Sequence, residues 1–161
     1  FKMAKAKQSI NCDQVTYDNP SVVHDALKHY LGYLLHKTTL IYKFESNKKM
    51  EALNLQGFHI AALSIIDFDN STNQIQICSE TGVDKATMVK TIDHLEKLGL
   101  VVRTESKNDR RVKHLSLTKK GKTVLLQAKK IRSECEKSFL SKLTHKEAEL
   151  FRDMLLRLIQ K

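Results

Sequence analysis

The sequence predicts a mainly α-helical fold of about six helices with one small antiparallel β-hairpin, and three observations predict it. The first is composition: one proline and five glycines in 161 residues favour long uninterrupted helices over a strand-and-turn fold. The second is periodicity, since apolar residues recur at three- and four-residue steps along most of the chain. The third is a local exception at residues 100–117, where two short alternating runs flank a tip rich in lysine and arginine. With 41% apolar residues, the chain is expected to fold as one globular domain with its own core. Its formal charge of +10 and pI near 9.5 point to a polyanionic partner. Charge alone does not separate nucleic acid from an anionic membrane surface. No run of eighteen apolar residues is present, however, so no segment is expected to span a bilayer.

The elements follow in chain order. Residues 1–7 are basic with no apolar core of signal-peptide length behind them, and read as a flexible arm or an artificial edge of the chain. Asn19-Pro20 reads as a helix start, asparagine capping and proline pre-set for the first helical position. Val23, Leu27, Tyr30, Leu31, Leu34, Thr38, Ile41 and Tyr42 then give an amphipathic stripe to about Phe44. The polar, lysine-rich residues 45–51 read as a loop. Residues 58–66 are apolar nearly all round, as a central buried helix requires. A helix from about Ile75 leads to the turn Thr81-Gly82-Val83-Asp84 and a second helix to Leu98. Gly82 permits the sharp turn, and Gly99 is placed to end the second helix in a left-handed conformation. Strands are expected at residues 100–103 and 112–117. Thr118 can cap a helix carrying Val124, Leu125, Ala128, Ile131 and Cys135 on its apolar side. Thr144 and Glu147 form a capping box for a last helix with Leu150, Met154, Leu155, Leu158 and Ile159 on one stripe.

A helix held on a tight turn and followed by a basic hairpin offers one element to a DNA groove and another to the backbone beside it. On the helix from Asp84, the residues Met88, Thr91, Ile92 and Leu95 share an inward face, and Ala86, Thr87, Lys90, His94 and Lys97 look outward. Lys90 suits a phosphate or a guanine edge, and Thr87 a phosphate oxygen or base edge. Lys85 joins them in the major-groove reading. Taken alone, the same helix reads equally as an ordinary surface helix of mixed charge. From Lys107 to Lys122 there are seven Lys or Arg and one acidic residue, Asp109. Such a run is often only a solvated face. Here it sits between strands directly after a candidate reading helix. Arginine favours a narrow minor groove, and Asp109 is spaced to orient Arg111, with Arg110 a second positive head and Lys107 and Lys113 alongside.

The run from Asp84 to Val101, with residues 108–121 behind it, resembles the MarR family of bacterial winged helix-turn-helix transcription regulators. The resemblance is carried by Asp109, Arg111, Leu117, Thr118 and Gly121 in the wing, and by Thr87, Lys90, Ile92, Asp93, Leu95, Glu96, Gly99, Leu100 and Val101 in and after the reading helix. Ala86 stands where the family usually has serine and Lys90 where arginine is usual, so one hydroxyl contact and one planar two-pronged contact are missing. The resemblance implies a homodimer on double-stranded DNA, most often a repressor at a pseudo-palindromic operator. It divides the chain into dimerisation helices at 19–46 and 119–161 and a DNA-binding part at 56–118. Reading heads about 34 Å apart, one turn of DNA, are expected. It also implies, for many members, a small-molecule effector, whose identity and site the sequence does not give.

Other classes fit less well. The chain has no glycine-rich phosphate loop, no nucleophile elbow and no catalytic cysteine–histidine pairing near a supporting acid, so an enzyme is not expected. Asp67 and Asp69 are explained by the end of a helix. Seven histidines show no metal-ligand spacing, and neither metal nor cofactor is expected. Cys12, Cys78 and Cys135 are odd in number and widely spaced, which suits a reducing cytoplasm. Cys78 and Cys135 read as packing residues, and Cys12 as a free thiol. Two non-enzyme alternatives remain at this point: a sequence-blind DNA-coating or architectural protein, and a winged-helix protein-interaction module.

Overall fold

A computed structural model of the chain describes residues 23–69, 72–105 and 113–160. It resolves into two compact units, Phe1–Ile41 and Tyr42–Lys161. Among the described residues of the first, a 3-10 turn at Asp25–Leu27 is started by His24, whose Nδ1 accepts a hydrogen bond from the Ala26 amide at 3.2 Å. Helix α1 (Leu31–Met50) follows. The expected helix start at Asn19-Pro20 lies outside the described residues, and α1 begins at Leu31, well after it. The expected loop at residues 45–51 is also corrected. Residues 45–50 continue α1, and a 3-10 turn, Glu51–Leu53, takes over. The physical reason is burial, because Ser46 and Met50, four residues apart on one face, are 6% and 0% exposed.

The second unit is built around α2 (Gly57–Asp69). Its Ile60, Ala62, Leu63 and Ile66 are buried, as expected of a central helix. Against it pack α3 (Gln74–Thr81), α4 (Lys85–Lys97) and α5 (Lys119–Phe139), which contribute Ile77, then Met88, Ile92 and Leu95, then Leu125 and Ala128. Each fully buried Leu or Ile contributes roughly 1.5–3 kcal/mol of transfer free energy. The hairpin is β2 (Val101–Glu105) and β3 (Lys113–Leu117), antiparallel, with Val101 opposite Leu117 and Glu105 opposite Lys113. A two-residue strand, β1 (Thr72–Asn73), adds to β3 on its other edge, so the sheet order is β1-β3-β2. The sequence reading did not contain β1. Helix α6 (His145–Ile159) carries the expected capping box of Thr144 and Glu147. None of its residues is buried within the chain, and Leu150, Met154, Leu158 and Ile159 lie open to solvent.

Candidate nucleic-acid interface

The chain builds the candidate interface by stopping one helix sharply and starting another. Helix α3 closes on Gly82 at φ 66°, whose amide donates to the Cys78 carbonyl. A side chain there would be strained, which is why glycine occupies the position. Two residues later Asp84 caps α4, its carboxylate accepting the Thr87 amide at 2.9 Å. Hydrogen bonds from Thr87, side chain and then backbone, hold the Asp84 carboxyl below the usual carboxylate range.

The inward face is as expected: Met88, Thr91, Ile92 and Leu95 are buried. Lys85, Ala86 and Lys90 are exposed at the first two turns of α4, with Thr87 half-buried between them. Lys113, at the start of β3, is exposed as well. Among the described residues Lys85, Lys90 and Lys113 form no ion pair, so their charges face outward. Lys107, Asp109, Arg110 and Arg111 lie outside the described residues.

His94 sits otherwise than an outward-looking residue. Its Nε2 lies 3.2 Å from the Asn54 carbonyl, and its ring stacks on His59 with centroids 4.9 Å apart. His59 is 8% exposed, and its Nδ1 accepts the Gln56 amide at 2.9 Å. Burial, and then the neighbouring His94, push its pKa down to about 4. Both rings line a cleft of about 720 Å³ that also meets Asn47, Glu51 and Gln56.

Where α4 ends, the hairpin begins without slack. Gly99, at φ 69°, donates its amide to the Glu96 carbonyl, and the Leu100 amide reaches the Leu95 carbonyl at 2.9 Å. This is a Schellman closure, with Leu95 and Leu100 both buried under it. The carbonyls of Leu98, Gly99 and Leu100 are taken by the start of α5. The Lys120 ammonium donates to Leu98 at 2.8 Å, the Thr118 hydroxyl to Gly99 at 2.7 Å and the Thr118 amide to Leu100 at 3.0 Å. Gly121 presses so close that a Cβ there would lie 2.0 Å from the Leu100 oxygen.

Arg103, absent from the site residues expected of the sequence, joins α4 to the hairpin. It stands two residues after the buried Val101, on the same face of β2. Its guanidinium donates through Nη2 to Asp93 at 2.5 Å and through Nη1 to Glu96. A charge at an inward strand position, with two acids three residues apart on the preceding helix, was the signal that could have found it.

Comparison with known proteins agrees with this geometry. A family model described as MarR family matches residues 53–112. The transcriptional repressor CouR, solved bound to a 23-mer DNA duplex, is 28% identical with TM-score 0.80, over 86% of this chain and 99% of that one. A mutant MarR from E. coli complexed with operator DNA superposes with TM-score 0.73 at 20% identity, over 81% of this chain and 94% of that one. A Mycobacterium tuberculosis MarR family protein in complex with p-aminosalicylic acid gives 0.69 at 22%, over 81% and 98%. The last two likenesses speak to fold alone.

Proposed function

We propose that the chain, whose residues 53–112 match the MarR family model, is a member of that family and a sequence-specific transcription regulator, a repressor, acting on double-stranded DNA as a homodimer. The observation that carries this reading is the exposed pair Lys85 and Lys90, with half-buried Thr87 between them, at the first turns of a helix held on the Gly82 turn; neither lysine forms an ion pair among the described residues. That end of a helix carries the positive pole of its dipole. Lys85, Ala86, Thr87 and Lys90 enter the major groove. Lys113 meets the backbone, and Lys107, Arg110 and Arg111 reach the backbone or minor groove, with Asp109 orienting an arginine. The uncovered apolar stripe of α6 supports the dimer, since a pseudo-palindromic operator calls for a two-fold partner. Release by a small molecule completes the reading, and the cleft walled by His59 and His94 offers such a molecule contact with the reading helix.

Selection of bound sequences from a random duplex pool at near-physiological salt tests this. An inverted repeat with half-sites one turn apart supports the reading. Recovery of no motif, with binding that vanishes as salt rises, supports a coating protein. No binding at any salt moves a protein-interaction module to first place.

A further inference from the structure

The two elements assigned to DNA are joined covalently by a short closure, yet a hairpin held only at its base can still swing. Arg103 acts beyond that base. Its partner across the sheet is Leu115, two register steps from the last described pair, Glu105 and Lys113. Its side chain is 21% exposed, against 57% and 41% for Asp93 and Glu96, so the guanidinium lies under the helix and the acids at its edge. One planar fork spanning two carboxylates three residues apart fixes a direction as well as a distance, which a point charge does not. An ion pair this open contributes little to stability by itself. Its leverage is geometric: Asp93 and Glu96 follow Lys90 on α4, and Arg103 precedes the basic tip on β2.

We propose that Arg103 is a positioning residue for DNA recognition, setting the angle of the β2–β3 hairpin to the reading helix so that both engage one DNA site together. This rests on the DNA-binding reading above. Arg103 itself stays with its two acids and does not touch DNA.

The test compares the wild-type protein with Arg103→Ala, Arg103→Lys and the double variant Asp93→Asn/Glu96→Gln. Two readouts are taken: footprints on a selected duplex, and hydrogen exchange of residues 101–117 in the free protein. Arg103→Ala and the double variant are both expected to keep major-groove protection, lose protection at the flanks and bind about tenfold more weakly. Arg103→Lys should recover part of the flank protection. In the free protein, exchange should quicken in β2 and β3 while α2 and α3 keep wild-type rates. If Arg103→Ala weakens binding and the double variant strengthens it, Arg103 contacts phosphate directly and the proposal is wrong. Unchanged footprints and unchanged exchange in both variants also overturn it. If the wild-type protein protects no sequence, the functional reading fails by itself, and hydrogen exchange still decides whether Arg103 holds the hairpin.

Discussion

At the scale of single residues, the helical wheel of α4 separated core from surface but could not say what the surface residues meet. Met88, Thr91, Ile92 and Leu95 went inward because four apolar or small positions on one face leave no other choice. His94 looked outward on that wheel, yet its partner His59 is thirty-five positions earlier, and no local spacing encodes the pair. His59 has a consequence in solution. Its folded pKa is lowered from 6.5 to about 4, so the unfolded chain takes up a proton first as the medium is acidified. Stability should thus be flat above pH 6.5 and fall from there toward about pH 4, by at most about 1.4 kcal/mol per pH unit from this group. Urea melts across that window should show the slope, and His59→Gln should flatten it. For DNA, Arg111→Ala should weaken operator binding by roughly 1–3 kcal/mol. Unchanged affinity for the selected site would remove Arg111 from the interface. Lys113→Ala should reduce the slope of log affinity against log salt by about one unit.

At the scale of elements, the sequence announced the turns and caps better than the first helix. Gly82, Asp84, Gly99, Thr118 and the Thr144–Glu147 box each act within four residues, so their chemistry was visible where it happens. The end of α1 was not, because Lys48 and Lys49 made the stretch look like a loop, although basic residues suit the last turn of a helix. Met50 decides the matter by burying completely, a tertiary fact. Strand β1 has two residues, too few for any alternation to register. The glycines at the α4–β2 junction make separate predictions. Gly99→Ala meets no atom but must hold φ 69°, which should cost about 1–2 kcal/mol. Gly121→Ala drives a methyl into the Leu100 carbonyl, which is backbone and cannot step aside, so a loss of about 3 kcal/mol or more is expected. Thermal melts of the two variants should rank them in that order.

For the whole molecule, fold class was legible because composition, periodicity and turn chemistry agreed with one another. The reading face was legible in part: α4 showed itself through its pattern, and Arg103 stayed hidden because its partners lie on another element. The stripe on α6 carries the assembly prediction. Leu158, 75% exposed within the chain, should be covered in a dimer, so Leu158→Glu is expected to shift sedimentation toward the monomer and weaken operator binding with it. A variant that still sediments as a dimer would place the two-fold contact elsewhere.

The latch at the foot of the hairpin bears on how such a protein can change over generations. Residues 118 and 120 fasten the carbonyls of residues 98–100, so the apex of the hairpin is not needed to hold its own base together. Lengthening a loop is thermodynamically mild, at about 0.6 kcal/mol for each doubling. Insertions between β2 and β3 should therefore leave α4 seated. On the proposed reading, the flanking bases of a binding site should then be able to change while its central bases stay fixed, like one word of a phrase edited while the other stands.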